Sequence, residues 1–228
     1  MTDLKAPEDF ASWNEQMIRR YDPEIFYRHP IAAVRWVESL RVRAIMHSLD
    51  LRPEHRVLDA GCGAGTLLER LYCREAYGVD LSPTMAWRAR VLAEAPVKIV
   101  QGDVEQLPFP DGHFDRVIAS SLLSHVLHPS RVIEELRRVT KVGGRVVISI
   151  SDEDQIERGM RWAKSLGLAR LFSSEKMAEK QSAYHVDYHL HRFSLKRLRE
   201  LVGSSLDELE VIGAPFLYPA HWVVAYGR

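Results

Sequence analysis

The chain has 228 residues, of which 46% are hydrophobic and 27% are charged. This composition is typical of one globular domain with a buried core, and it excludes collagen-like, coiled-coil and largely disordered chains. The 31 basic and 31 acidic residues cancel, so no overall charge favours nucleic acid as a partner.

The two cysteines, Cys62 and Cys73, are too few for a disulfide framework or a four-thiolate zinc site. The N-terminal sequence lacks the apolar core of a signal peptide. No apolar run approaches the roughly 18 residues of a membrane span. We therefore expect a cytoplasmic protein without a membrane span.

The first part of the chain predicts helices. Residues 8–50 contain no glycine and carry apolar residues at helical spacing in their second half. Pro23 and Pro30 interrupt the stretch, which indicates a short helix, a turn and a longer helix over about 31–49. We expect residues 1–50 to form a helical cap or lid on a core that spans 51–228.

From residue 55 onward, short β-branched segments alternate with amphipathic ones, which predicts a doubly wound α/β domain. The predicted strands contain RVLDA, AYGVD, VKIVQGD, FDRVIAS and GRVVISI, and the predicted helices cover 66–73, 83–93 and 130–140. A polar stretch then predicts a helical insertion over about 152–192. The helix SLKRLRELV, capped by Ser194, and the strands ELEVIGA and HWVVAYG close the domain.

The segment DAGCGAG, residues 59–65, directly follows the first predicted strand. Glycines let a backbone turn tightly against a ligand, although a glycine-rich turn without a ligand is the alternative. Asp80 ends the second strand about 20 residues after Gly61, where a carboxylate accepts hydrogen bonds from a ribose diol. The two features together favour a nucleoside cofactor at this edge of the sheet.

Asp103 ends the third predicted strand. Its carboxylate is placed to accept a hydrogen bond from an adenine amino group, while Val104 offers its backbone N–H. A helix cap or turn is the competing interpretation of Asp103.

Four motifs, VLDAGCGAG, GVDLSP, GDVEQLPFPDGHFDRV and EELRRVTKVGGRVVIS, together resemble the class I S-adenosylmethionine-dependent methyltransferases, in the branch of the ubiquinone and menaquinone methyltransferases. The resemblance covers about residues 55–150. It implies S-adenosylmethionine as the cofactor and a seven-stranded sheet of order 3-2-1-4-5-7-6 whose last strand is antiparallel.

The resemblance also implies which residues surround the cofactor. They are Asp59, Gly61, Cys62, Gly63 and Gly65 at the methionine part, Asp80 at the ribose, Leu81 and Met85 on one face of the adenine, Asp103 and Val104 at its amino edge, Ser120 below the pocket, and Tyr21 of a Tyr-Asp pair near the cofactor.

A nicotinamide dehydrogenase is the less favoured alternative. Its fingerprint Gly-x-Gly-x-x-Gly brings pyrophosphate to a helix N-terminus, whereas the glycines here are Gly61, Gly63 and Gly65. Asp59 precedes them and would repel pyrophosphate, whereas beside a sulfonium donor it would order the loop or, through water, attract the ammonium group. A catalytically silent protein that binds S-adenosylmethionine for regulation or assembly also stays open.

Methyl transfer from a sulfonium requires alignment of the acceptor, exclusion of water and, for some acceptors, removal of a proton. His125 is the candidate base or orienting group, with a hydrogen-bonded structural histidine as the alternative, and His128 is assigned to the turn before the next helix. Tyr27 and His189 are candidate contacts of the acceptor, with ordinary packing as the alternative for Tyr27 and a solvated or structural role as the alternative for His189. We expect a monomer or homodimer that methylates O, N or activated C of a small molecule, including aromatic or lipid-linked ones.

His185, Asp187, His189 and His191 share one face if their stretch is extended. Such a set would span about 20 Å, too far to surround one ion. We therefore expect no metal site there.

Overall fold

The computed structural model describes residues 9–22, 24, 27–93, 97–167, 187–215 and 220–228. Its α-helices are α1 Phe10–Tyr21, α2 Ala32–Ser48, α3 Pro83–Leu92, α4 Pro129–Val139, α5 Glu153–Ser165 and α6 Leu195–Val202. Its strands are β1 Arg56–Ala60, β2 Glu75–Asp80, β3 Val97–Gln101, β4 Phe114–Ser120, β5 Thr140–Ser151, β6 Asp207–Ala214 and β7 His221–Gly227.

The strands form one sheet in the order β3-β2-β1-β4-β5-β7-β6. The first five run parallel, and β7 is antiparallel to both β5 and β6. The predicted fold class is therefore confirmed. Because parallel strands end at the same edge, the carboxyl ends of β1 to β5 meet there, and His221 at the start of β7 joins them by pairing with Ser151.

Helix α2 packs directly on the sheet. Ile45 and Leu49 are fully buried in a cluster with Val57, Ile118 and Val223. This helix shares a hydrophobic core with the strands, whereas α1 lies over the edge where the strands end. The predicted division into a cap, 1–50, and a core, 51–228, stays a prediction.

The prediction of a helix over 66–73 is wrong, because only Leu68–Arg70 form a single 3-10 turn. The glycine-rich loop occupies residues 61–65, and of the nine residues between it and Glu75 only Leu68–Arg70 are helical. The apolar pattern that predicted a helix reflects the burial of Leu67 and Leu68 beneath this turn.

The predictions for Ser194 and His128 are confirmed. The hydroxyl of Ser194 accepts the backbone N–H of Arg197, as predicted for a helix cap. His128 is the N-cap residue of α4, in agreement with its assignment to the turn. The predicted insertion begins with α5, while residues 168–186, including His185, lie outside the described part.

Candidate active site

A cavity of about 300 Å³ opens at the carboxyl edge of the sheet. Side chains from the ends of β1 to β5, the start of β7, α1, α2 and residues 188–189 line it. The sequence-predicted residues that line it are Tyr27, Asp59, Gly61, Cys62, Gly63, Asp80, Leu81, Met85, Asp103, Val104, Ser120, His125 and His189.

Tyr21 and Gly65 are not among the lining residues. Tyr21 packs behind Met85, and its hydroxyl donates a hydrogen bond to Asp187. A Cβ on Gly65, whose φ is +90°, would lie 3.4 Å from the Cβ of Ala89 on α3. Both residues therefore support the wall of the cavity from behind.

The loop after β1 brings its backbone close to neighbouring elements. Gly61 has a φ of +72°, and a Cβ there would lie 2.7 Å from Cδ1 of Leu122. Its N–H donates to the carbonyl oxygen of Val79 on β2 at 2.8 Å. A left-handed conformation at such a close approach requires glycine.

Asp80, at the end of β2, holds this loop in place. Its Oδ2 accepts the N–H of Gly63 at 2.8 Å, and its Oδ1 accepts the N–H of Ser82 at 2.9 Å. Burial raises the pKa of Asp80 to about 6, although both hydrogen bonds oppose the change. Each carboxylate oxygen has a further lone pair for a ligand hydroxyl.

Asp59, at the end of β1, is 1% exposed, and its Oδ1 has no hydrogen-bond partner among the described residues. Burial, and then the negative charge of Asp80, raise its pKa to about 8, while Arg41 opposes the shift. A buried oxygen without a partner is costly. The wall is therefore suited to a ligand that brings a positive charge or a hydrogen-bond donor.

Glu24 adds a third carboxylate that the sequence analysis did not single out. Its Oε2 accepts the hydroxyl of Thr66 at 2.7 Å, and its Oε1 would lie 3.4 Å from a Cβ on Gly63. Since its contacts are far away in sequence, only its place beside the Tyr-Asp pair hinted at a role. The loop is thus flanked by the carboxyl groups of Glu24, Asp59 and Asp80.

Apolar and polar groups meet at the end of the cavity near β2 and β3. Met85 is 1% exposed, and Val104 is also buried. Oδ1 of Asp103 accepts the N–H of Glu105 at 2.8 Å, which bears out the turn interpretation. Asp103 nevertheless lines the cavity as well, so the two interpretations of this residue are compatible.

A buried network beneath β4 and β5 was missed by the sequence analysis. Nε and Nη2 of Arg41 donate to Oε2 of Glu38 at 2.9 and 2.7 Å. The other guanidinium donors reach the hydroxyls of Tyr27 at 2.9 Å and Ser120 at 2.5 Å. Oε1 of Glu38 lies 3.2 Å from Nε2 of His221. The sequence signal was the presence of Glu38 and Arg41 on the otherwise apolar stripe of α2.

The ion pair with Arg41 outweighs burial in its effect on the pKa of Glu38. Burial raises the pKa of its carboxyl, but the positive charge of Arg41, together with the hydrogen bonds from His221 and Arg41, outweighs burial and holds the pKa well below its usual value. Glu38 is therefore an anion that only accepts hydrogen bonds.

Two predicted histidines meet across the cavity. The ring centroids of His125 and His189 lie 4.6 Å apart, and Nδ1 of His125 lies 3.3 Å from the carbonyl oxygen of Tyr188. Nδ1 of His189 lies 2.5 Å from Oε1 of Glu153, and burial lowers the pKa of His189 to about 4. Both histidines are thus oriented by neighbours and also face the cavity.

The described part of the histidine-rich stretch, residues 187–191, is not one extended strand, because Asp187 and Tyr188 are helical. Nε2 of His191 donates to the carbonyl oxygen of Val126 at 3.0 Å, away from the Glu153 contact of His189. Among the described residues no three His, Cys, Asp or Glu side chains are grouped as metal ligands. No helix within those ranges has the length and apolar character needed to cross a membrane.

Comparison with known proteins identifies the family. A family described as "Methyltransferase domain" matches residues 58–148. The phosphatidylethanolamine N-methyltransferase of Cereibacter sphaeroides is 36% identical over 156 residues, which cover 66% of this chain and 72% of that protein. The chain belongs to the class I S-adenosylmethionine-dependent methyltransferases.

Other methyltransferases are similar over shorter or more divergent regions. A probable chloroplastic tocopherol O-methyltransferase of Oryza sativa subsp. japonica is 34% identical over 129 residues, covering 53% of this chain and 35% of that protein. The chain spans less than half the length of the first curated relatives that it matches. A Thermotoga maritima structure, described as a possible histamine N-methyltransferase, aligns with a TM-score of 0.66 at 19% identity over 96% of this chain and 99% of that one, and shows the shared fold.

Membership of the methyltransferase family implies S-adenosylmethionine as the cofactor, and the residues present fit it. The unpartnered Oδ1 of Asp59 suits its ammonium group, and Gly61 and Gly63, both with positive φ, line the cavity with backbone alone. The ubiquinone and menaquinone branch stays a prediction.

Proposed function

We propose that this protein transfers the methyl group of S-adenosylmethionine to an oxygen, nitrogen or activated carbon atom of a small-molecule acceptor. The observation that carries the proposal is the buried Asp59 carboxyl, which faces the cavity with one unpartnered oxygen beside the glycine loop. A ligand with an ammonium and a sulfonium group supplies the positive charge that this wall lacks.

The cofactor lies over the ends of β1, β2 and β3 in this proposal. The loop residues from Asp59 to Gly63 surround the methionine part, and Asp80 accepts the ribose hydroxyls. Leu81 and Met85 cover the adenine, whose amino edge faces Asp103 and Val104. Tyr21 and Gly65 act indirectly, through the packing of Met85 and α3.

The acceptor lies beyond β4, where Tyr27, Ser120, His125 and His189 line the cavity. S-adenosylmethionine supplies an activated methyl carbon when bound. The chain aligns the acceptor with that carbon and excludes water beneath α1. His125 orients the acceptor or receives its proton.

The relatives support a small acceptor that has an apolar part. Their names specify tocopherol and phosphatidylethanolamine as methyl acceptors. The acceptor side of the cavity offers both apolar and polar walls, including Val34, Val37, Ile156 and the histidines. An aromatic or lipid-linked molecule with one polar nucleophile fits such a site. The predicted cytoplasmic location and the monomeric or dimeric state stay predictions.

Substitution of Asp80 tests the cofactor site. Asp80→Ala is expected to weaken S-adenosylhomocysteine binding, measured by calorimetry, much more than it lowers the melting temperature of the unligated protein. The matched control is Asp111→Ala, because the side chain of Asp111 is 76% exposed and Asp111 does not line the cavity. Equal losses of binding and stability in Asp80→Ala would assign the residue a structural role.

The silent alternative predicts binding without transfer. Incubation with methyl-labelled S-adenosylmethionine and a small-molecule extract separates the two functions, because transfer of label to any acceptor excludes a purely regulatory protein. Binding of the cofactor with no label in any extract fraction contradicts the proposed enzyme.

A further inference from the structure

Ser151, His221 and Glu38 form a continuous chain of polar groups along one wall of the cavity. Nδ1 of His221 lies 3.2 Å from Oγ of Ser151, and its Nε2 lies 3.2 Å from Oε1 of Glu38. His221 is 8% exposed and Glu38 is 7% exposed, and all three residues line the cavity. None of them was singled out by the sequence.

The fold holds these three hydrogen-bonded residues in a fixed geometry. Ser151 and His221 are directly paired at the ends of antiparallel β5 and β7. The second oxygen of Glu38 accepts two hydrogen bonds from Arg41, whose guanidinium also contacts Ser120. Glu38 is therefore clamped with Oε1 directed to the imidazole.

The donor and acceptor groups of the three side chains define the direction in which they hydrogen-bond. An ionised Glu38 only accepts, so Nε2 of His221 carries the hydrogen of that contact. In the neutral ring Nδ1 then has the lone pair and accepts the hydroxyl of Ser151. The oxygen of Ser151 in turn is left with lone pairs for a donor in the cavity.

The strand order places the hydrogen-bonded residues Ser151, His221 and Glu38 on the acceptor side of the cavity. The cofactor residues are at the ends of β1, β2 and β3, while β5 and β7 lie on the other side of β4. In the proposed arrangement the methyl carbon of the cofactor lies over the end of β1. The acceptor then lies above the ends of β4, β5 and β7. The Ser151 hydroxyl lines that part of the cavity.

We propose that Ser151, His221 and Glu38 form a proton relay that deprotonates a hydroxyl or amine nucleophile of the acceptor. The proposal rests on the methyltransferase function stated above and specifies its substrate class: the acceptor atom bears a hydrogen that must leave on methylation.

The step balances in atoms and charge. A bond forms between the acceptor atom and the methyl carbon, while the carbon–sulfur bond breaks and its electron pair stays on sulfur. The acceptor proton passes to Oγ of Ser151 as the serine proton passes to Nδ1 of His221. The cavity loses the sulfonium charge and gains that of an imidazolium paired with Glu38, so its net charge is unchanged and the buried site avoids an uncompensated charge.

Two ring-shaped probes separate this role from a structural one. Phenol carries the proton that the relay removes, whereas the pyridine nitrogen has none at about pH 8. With labelled S-adenosylmethionine, His221→Gln and Ser151→Ala are expected to slow transfer to phenol about 100-fold or more and to leave transfer to pyridine unchanged. His128→Gln is the matched control, because His128 also contacts a carboxylate, Glu105, but lies outside the cavity.

Each outcome bears on a distinct claim. Equal losses with both probes, or no loss with phenol, overturn the relay. S-adenosylhomocysteine binding and melting temperature are measured in every variant, because absence of binding in the unsubstituted protein defeats the methyltransferase function rather than the relay. The ¹⁵N shifts of His221 at about pH 8 give a test without turnover: a neutral ring with its hydrogen on Nε2 supports the relay, and a hydrogen on Nδ1, in a neutral or a doubly protonated ring, overturns it.

Discussion

Asp59 and Asp80 end two adjacent parallel strands, and the negative charge of Asp80 adds to burial in raising the pKa of Asp59 to about 8. Asp80 accepts two backbone N–H groups, while Oδ1 of Asp59 has no partner among the described residues. The two carboxyl groups therefore differ in whether the protein itself satisfies their hydrogen bonds. Asp80 is already stabilised by the loop, whereas Asp59 depends on a ligand.

The unligated protein is expected to lose stability as pH rises, because of Asp59. Its pKa is higher in the folded state, about 8, than the ordinary value of 3.8, so the folded state binds more protons between these limits. Stability then falls as pH increases through this window. Asp59→Asn removes this cost and should raise the melting temperature at about pH 8.5 by several degrees, since each pKa unit corresponds to ~1.4 kcal/mol.

Thermal unfolding of both proteins across this pH range checks the prediction. The two melting temperatures should converge below about pH 3, where the carboxyl is protonated in both states because the pH lies under its ordinary pKa of 3.8. Asp80, Arg41 and Glu24, whose charges act on Asp59, are retained in the variant. A variant that is less stable than the unsubstituted protein at high pH contradicts the assignment.

Cofactor affinity should show the opposite dependence on pH. A cationic ligand favours ionised Asp59, so binding of S-adenosylmethionine releases a proton below the pKa of about 8. Affinity should rise with pH by up to about tenfold per unit and level off above that pKa. Calorimetry in buffers of different ionisation enthalpy measures the released proton directly. Asp59→Asn should bind weakly and lose the pH dependence between about pH 7 and 8, which lies above the pKa of Asp80 of about 6. A variant that keeps this dependence would rule out Asp59 as the titrating group.

Local sequence signals sufficed for residues whose positions follow from strand ends. Asp59, Asp80 and Asp103 each close a parallel strand, and a parallel sheet brings such ends to one edge whatever the details of packing. The glycines at 61 and 63 needed only the turn after β1. These residues were therefore predictable without knowledge of side-chain contacts.

The residues that sequence reasoning missed depend on tertiary packing. Glu38 and Arg41 become part of the cavity wall only because α2 lies against the sheet, and His221 meets them only because β7 is antiparallel to β5. The helix predicted over 66–73 failed for a related reason. Its apolar residues do face the core, but the single 3-10 turn Leu68–Arg70 is enough to bury Leu67 and Leu68.

The packing beneath the glycine loop predicts that Gly78→Ala destabilises the fold. A Cβ at Gly78 on β2 would lie 2.7 Å from Cδ1 of Leu68, 2.8 Å from Sγ of Cys62 and 2.9 Å from Cδ1 of Ile99. Relief on all three sides is expected to cost about 1–3 kcal/mol of the free energy of unfolding, measured in urea. Displacement of Cys62 should also weaken S-adenosylhomocysteine binding.

Gly102→Ala is the matched control for Gly78→Ala. A Cβ at Gly102 would have its nearest contact at 3.5 Å, an ordinary van der Waals distance. This variant should therefore keep nearly full stability and affinity. If both variants unfold at the same urea concentration, overpacking beneath the loop is not the cause.

The contact between Asn14 and Tyr188 predicts how quickly the cavity releases its ligand. The hydroxyl of Tyr188 donates to Oδ1 of Asn14 at 2.8 Å, and both residues are buried and line the cavity. The bond joins α1 to the segment that follows α5, which is held by the hydrogen bond of His191 to Val126. Opening of α1 must break it.

Tyr188→Phe and Asn14→Ala should each accelerate dissociation of S-adenosylhomocysteine, because a hydrogen bond of about 1 kcal/mol corresponds to a roughly fivefold change in rate. The double variant should dissociate no faster than either single variant, since both substitutions remove the same bond. Stopped-flow tryptophan fluorescence can follow release, because the Trp13 ring lies 5.8 Å from that of Tyr188. Tyr72→Phe, at a tyrosine that is 82% exposed, should leave the rate unchanged. Strictly additive effects in the double variant would show that the two residues act separately and that their bond does not hold α1 closed.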